Sequence, residues 1–246
     1  MVAVLAFDIG NTSIKAGIVE RGVVRERAAF THDRFARDGA TWWGALAFDG
    51  PIGIASVRPE ATSRVIALLR GKHALLAPTD FHAPITNACD PPESVGQDRL
   101  FLAAAAYALV GGAVVAVSLG TAITVNLVDA SGTFRGGAIA IGVAAALRAL
   151  VRETGLLPLV EIAPGEAVPA LGRETHAAIR SGVARGAAGL VDRLIADIAQ
   201  GPATVVVTGG DAALLVPFLA TPVRVEADLA LIGIALGVER AVGAAS

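Results

Sequence analysis

Apolar residues in this chain come in short runs that stop abruptly on small polar residues or glycine. Strands are predicted where β-branched and apolar residues cluster between such stops: 2–7, 14–20, 23–30, 52–57, 74–78, 113–118, 122–129, 136–141 and 204–209. Helices are predicted over 59–71, 97–110, 142–153, 173–199 and 228–243. The first of these follows Val57-Arg58-Pro59, with proline at its opening turn.

The same order of elements occurs twice. FDIGNTSIKAGIVERG (7–22) aligns with VSLGTAITVNLVDASG (117–132): an apolar strand, a polar residue at its end, a glycine turn, a return strand and a second turn. Each copy continues through a third strand into helices. A repeated ββ unit whose sheet is covered by helices predicts two similar α/β domains facing a cleft, divided at 1–111 and 112–246. A third glycine-rich strand end, Thr208-Gly209-Gly210-Asp211, runs into a helix. Three such turns on two repeated halves resemble the actin-like, sugar-kinase-like ATPases. The expected fold class is therefore α/β, with actin-like (ribonuclease H-like) duplicated domains, each a mixed five-stranded sheet flanked by helices.

Composition narrows the function. The 246 residues are 54% hydrophobic and 17% charged, with a formal net charge of -2, as in a globular chain with a sizeable core. That balance argues against a nucleic-acid partner held by broad electrostatics. A single cysteine, Cys89, excludes an internal disulfide and a cysteine-rich zinc site, in keeping with the cytoplasm. No basic segment precedes the first apolar run, so no secretory signal is expected. Residues 100–128 are uncharged and long enough to span a bilayer. Gly111-Gly112 and the Ser118–Thr121 turn instead divide them into a buried alanine-rich helix and a buried strand, and no membrane is expected.

Glycine in a strand-end turn lets main-chain N–H groups converge on an anion. Gly10, Asn11 and Thr12 in one copy, and Gly120 and Thr121 in the other, suit phosphate, as do Gly209 and Gly210. Asp8 would repel phosphate unless a cation bridged them, which points to Mg²⁺. An ordinary tight hairpin with Asp8 bonded locally is the other reading. Lys15 on the return strand is within reach of phosphate or simply solvated. The segment VGQDR (95–99) places Asp98 and Arg99 in the first turn of a helix announced by Gly96. Asp98 there suits a general base, and Arg99 an acidic substrate, against the plainer reading of a charge pair that starts a helix. Neither a GxGxxG nor a GxxxxGK[ST] pattern occurs, which removes the usual dinucleotide and P-loop readings.

These segments resemble the type III pantothenate kinases over nearly the whole chain. DIGNTSIKAG (8–17) is similar to the family's first phosphate motif, VGQDR to its Gly-x-Asp-Arg substrate motif, and SLGTAITVNLVDASGTFRGGAIAIG (118–142) to its second phosphate stretch. VVVTGGDA (205–212) and DLALIGIALG (228–237) follow in family order. The resemblance implies phosphorylation of pantothenate by ATP, the first step of coenzyme A biosynthesis. It assigns Asp98 as base, Arg99 to the pantothenate carboxylate and Asp8 to Mg²⁺. Thr121 falls to phosphate contact, and Thr175 to the substrate or dimer side of the pocket. It also implies a homodimer and a monovalent cation, K⁺ or NH₄⁺.

The chain departs from the family pattern at several positions. Ser118 stands where an aspartate opens the second phosphate motif, leaving a hydroxyl at a weakened acidic metal position. Asn126 replaces an acid, Leu102 an asparagine, Ile141 a proline, Cys89 a tyrosine and Glu174 an asparagine. Two alternatives follow: a nucleotide-binding accessory protein that has lost activity, or a kinase for a different small alcohol.

Overall fold

In the computed structural model, residues 2–69, 71–199 and 201–244 are described. Strand β1 (Val4–Ile9) pairs antiparallel with β2 (Ser13–Glu20), and β2 with β3 (Val23–Thr31). Helix α1 (His32–Ala45) follows, then β4 (Ile52–Ser56), which runs parallel to β1, then α2 (Pro59–Leu68) and β5 (Ala74–Leu76). The five strands form one mixed sheet in the order β3-β2-β1-β4-β5. A two-residue strand β6 (Thr86–Asn87), a 3₁₀ turn (Pro92–Ser94) and helix α3 (Gln97–Val110) complete this part of the chain.

Strand alternation assigns the two faces of this sheet. Leu5, Phe7 and Ile9 join Ile14, Phe30 and Phe35 in a core closed by Ala61, Val65 and Leu69 on the α1 and α2 side. Phe7 meets Trp42 edge-on at 6.1 Å, and Phe30 meets Phe35 at 5.5 Å and Trp42 at 5.9 Å. Such pairs each add about 0.5–1.5 kcal/mol to the hydrophobic gain of burying the rings. The opposite face is covered by the last helix of the chain, numbered α7 below. Gly17 leaves room there for Leu231, and Gly53 for Val238 and Ile234.

The second part repeats the plan. Strands β7 (Val114–Leu119), β8 (Ala122–Val128) and β9 (Thr133–Ile141) form an antiparallel run. Helices α4 (Val143–Thr154) and α5 (Thr175–Ile198) follow, then β10 (Thr204–Thr208), parallel to β7. A short α6 (Ala212–Leu215), a 3₁₀ turn (Val216–Phe218) and β11 (Arg224–Val225) come next, before α7 (Leu229–Ala244). Within this unit the strands stand in the order β11-β10-β7-β8-β9, the same 5-4-1-2-3 pattern as in the first. The repeat extends to burial: VLAFDI and VVAVSL each have only their fifth residue, Asp8 or Ser118, partly exposed.

Four expectations need correction. The chain divides into Met1–Leu109 with Asp228–Ser246, and Val110–Ala227, so α7 belongs with the first unit and not with the half that precedes it in sequence. Its small residues decide this, since a side chain at Gly233 would lie 2.0 Å from the carbonyl of Phe101 in α3. Strand β1 runs to Ile9, two residues beyond the predicted end, because the ladder continues through Asp8–Lys15 and Ile9–Ile14. Helix α1 was not predicted; Gly39, Thr41 and Gly44 weaken its helical propensity, and it is held by Thr31, which accepts from the Arg34 N–H, and by packing of Trp42. The helix expected over 59–71 ends at Leu68, and Arg70 lies outside the described residues. Among the described residues no helix is long and apolar enough to cross a membrane.

Candidate active site

In the first unit, Asp8 and Lys15 are direct cross-strand partners, so both side chains leave the sheet on the face opposite Phe7. Asp8 is half-buried. Burial pushes its carboxyl above the usual range, the Lys15 ammonium pulls it down, and the negative charge of Asp98 adds to the rise. Two carboxylates and one ammonium therefore share a field at the end of β1 where the chain turns. The turn is tight, with the Gly10 N–H donating to the Ser13 carbonyl at 2.9 Å. Asn11 and Thr12 at its tip are exposed.

Asp98 and Arg99 lie in the first turn of α3. The Arg99 and Leu100 N–H groups both reach the Gly96 carbonyl, at 3.1 and 3.4 Å, which tightens the entry to the helix. A Cβ on Gly96 would lie 2.5 Å from Asp98 Oδ1, so the bare glycine is what lets that carboxylate fold over it. Asp98 is exposed and Arg99 half-buried. Buried Leu100 and Phe101, and the run Ala103–Ala106, anchor the helix behind them.

In the second unit, the Gly120–Thr121 turn and the Gly209–Gly210 loop come together. The Asp211 N–H donates to the Leu119 carbonyl at 3.0 Å. Gly209 has φ +110°, and a Cβ there would be 2.1 Å from the same carbonyl oxygen. The Gly142 N–H donates to the Thr121 carbonyl at 3.2 Å from the other side. Ser118 pairs across the sheet with Thr124 and beside Thr208, so a hydroxyl neighbourhood occupies the position that corresponds to Asp8 and Lys15 in the first unit. Asn126 is fully buried, and its Nδ2 donates to the Ala116 carbonyl and to Thr124 Oγ1.

Thr175 opens α5 in a different setting. It lines an apolar groove of about 820 Å³ between α4 and α5, together with Ile141, Val143, Leu150 and Leu190. Glu174 caps the helix by accepting the His176 and Ala177 N–H groups, which holds its carboxyl below the usual range.

A sequence model of the type III pantothenate kinases matches residues 4–197. This chain belongs to that family. A type III pantothenate kinase of Zymomonas mobilis is 34% identical over 253 residues, covering 94% of this chain and 90% of its own. That of Nocardia farcinica is 35% identical, covering 96% and 97%. Among solved structures, the activator of 2-hydroxyisocaproyl-CoA dehydratase from Clostridium difficile, with bound ADPNP, is 12% identical at a TM-score of 0.58 and covers 99% and 97%. That likeness shows the actin-like fold.

Both carboxylates that the sequence marks, Asp8 and Asp98, lie in the first unit. Glu174, where the pattern has asparagine, is accounted for by its cap. Arg135 pairs with Asp129 at 2.6 Å and ties the β8–β9 turn. Two contributors escaped the sequence. His32 and Arg58 reach the β1–β2 turn from residues far along the chain, and no periodicity marks either. Among the described residues no group of three or more His, Cys, Asp or Glu could hold a metal alone.

Proposed function

We infer that this protein transfers the γ-phosphoryl group of ATP to the primary hydroxyl of pantothenate, the first step of coenzyme A biosynthesis. The observation that carries the reading is Asp98, set at the entry of α3 where its charge is felt by Asp8 at the phosphate turn, in a chain of this family. Asp98 accepts the hydroxyl proton as the oxygen attacks phosphorus. The new O–P bond forms as the bond from the γ-phosphorus to the β–γ bridging oxygen breaks, and ADP leaves with that oxygen. Arg99 holds the pantothenate carboxylate in a fork of donors, with Gly96 giving the substrate access.

Asp8 serves Mg²⁺, which when bound neutralises charge on the phosphates. Main-chain donors at Asn11 and Thr12, in the turn that Gly10 opens, bind phosphate together with Lys15. Within the second unit, the glycine turns at Gly120, Thr121, Gly209 and Gly210 suit nucleotide phosphate in the same way. Ser118 offers a hydroxyl where charge is missing. A monovalent cation, K⁺ or NH₄⁺, completes the requirement that the family resemblance implies. The protein acts in the cytoplasm as a homodimer. Exposed Ile139 and Ile141 and the apolar groove beside Thr175 support the dimer, since a second copy would cover them.

The test is ADP release from ATP, Mg²⁺ and K⁺, with and without pantothenate. Pantothenate-dependent turnover is expected, with kcat lowered about 10²–10⁴-fold in Asp98→Asn and KM for ATP little changed. Wild-type protein that releases no ADP in response to pantothenate defeats the reading.

A further inference from the structure

The turn between β1 and β2 is held by its carbonyls. Three in succession accept hydrogen bonds from distant parts of the first unit. Ile9 accepts from the Val57 N–H at 3.1 Å, Gly10 from His32 Nε2 at 3.0 Å, and Asn11 from Arg58 Nη1 at 3.0 Å. His32 is the first residue of α1, and Arg58 caps the start of α2. Arg58 is itself fixed: its N–H donates to Ser56 Oγ at 2.9 Å, and Thr62 Oγ1 donates to the same oxygen at 2.7 Å.

A carbonyl and the N–H that follows it in a trans peptide point in opposite directions. Tying the Gly10 and Asn11 carbonyls therefore turns the N–H groups of Asn11 and Thr12 away from His32 and Arg58. His32 and Arg58 stand at the starts of α1 and α2, the helices that cover the Phe7, Ile9 and Ile14 side of the sheet. The two N–H groups are thus turned toward the face that carries Asp8 and Lys15. Successive N–H groups directed to one side form a concavity suited to an anion.

We propose that His32 and Arg58 are positioning residues for the nucleotide's phosphates: they clamp the turn from behind so that the Asn11 and Thr12 N–H groups converge on a phosphate oxygen. The proposal rests on the assignment of the chain as an ATP-dependent kinase. Neither residue touches substrate. Each acts through a main-chain carbonyl, and the Arg58 charge adds to the attraction for phosphate.

The experiment compares wild type with His32→Ala, His32→Gln, Arg58→Ala and the double alanine variant. Gln at 32 offers an amide N–H about where the imidazole Nε2–H stands. The readouts are Kd for ATP and for adenosine, KM for ATP and for pantothenate, and Tm. His32→Ala should weaken ATP about tenfold, with adenosine affinity and the KM for pantothenate held within about twofold. His32→Gln should recover most of that loss. The double variant should lose less than the product of the single losses, because both residues restrain one turn. ATP and adenosine affinities that fall together, or an ATP affinity that does not move, overturn the clamp. Should pantothenate turnover be missing, the ratio of ATP to adenosine affinity decides alone. A ratio lowered by His32→Ala upholds the clamp while the assigned reaction fails, and an unchanged ratio overturns it.

Discussion

Gly209→Ala tests whether the loop after β10 is built around the end of β7. Two costs arise at this position. Its φ of +110° lies where residues with a side chain rarely go, at about 1–3 kcal/mol. A Cβ would also stand 2.1 Å from the Leu119 carbonyl oxygen, with the Leu119 carbonyl carbon at 2.6 Å and its nitrogen at 2.7 Å. Those are backbone atoms of a paired strand, so the loop must move, which costs about another 1–3 kcal/mol. The sum, about 2–6 kcal/mol, is a large part of the stability of an ordinary domain. At about 2–4 °C per kcal/mol for a chain of this size, the melting temperature should fall on the order of 10 °C. The loop also carries the Asp211 N–H that bonds Leu119, so KM for ATP should rise. Gly210→Ala is the internal control, because a Cβ there meets nothing within 4 Å. Thermal and urea unfolding of both variants measure the difference. A Gly209→Ala protein that melts with wild type, or a Gly210→Ala protein that loses as much, would refute the argument.

Two further outcomes follow from the first unit. Gly96→Ala places a methyl group 2.5 Å from Asp98 Oδ1; the side chain can swing aside, so Tm should hold while kcat falls about tenfold or more from the displaced base, and a normal kcat would remove Asp98 from the chemistry. Asp8→Asn concerns pH. Burial, reinforced by Asp98 and opposed by Lys15, raises the Asp8 carboxyl, so protonation favours the folded state at low pH and that contribution disappears as pH rises through the raised value. Asparagine cannot ionise. The Mg²⁺-free variant should therefore melt above wild type at neutral pH, the gap closing as pH falls below the ordinary carboxylate range, whereas a variant less stable at neutral pH would show that the charged form is favoured in the fold.

Strands β1–β5 and β7–β10, the three glycine turns and the acidic position at the end of β1 were legible in the chain, whereas the two-residue strand β11 was not. Each depends on neighbours within a few residues: alternation sets the buried face, and glycine marks where the main chain must turn. The alanine-rich stretch 103–106 likewise announced a buried helix, since small apolar residues suit close packing on a neighbour. Helix α1 was not legible, because its residues are poor helix formers and its Trp42 is fixed by Phe7 and Phe30 from other strands.

The sequence by itself determined local structure and the order of the two repeated units, because hydrophobic period and turn chemistry act over a few residues. Only the tertiary structure decided which unit takes α7, where the contact runs through Gly233, Gly237 and Phe101 far apart along the chain. It also decided that Asp98 raises the carboxyl of Asp8, and that His32 and Arg58 hold the carbonyls of a turn they do not adjoin. Charges and hydrogen bonds act through space over a few ångströms, and spacing along a sequence carries no record of which distant groups the fold will bring within that range.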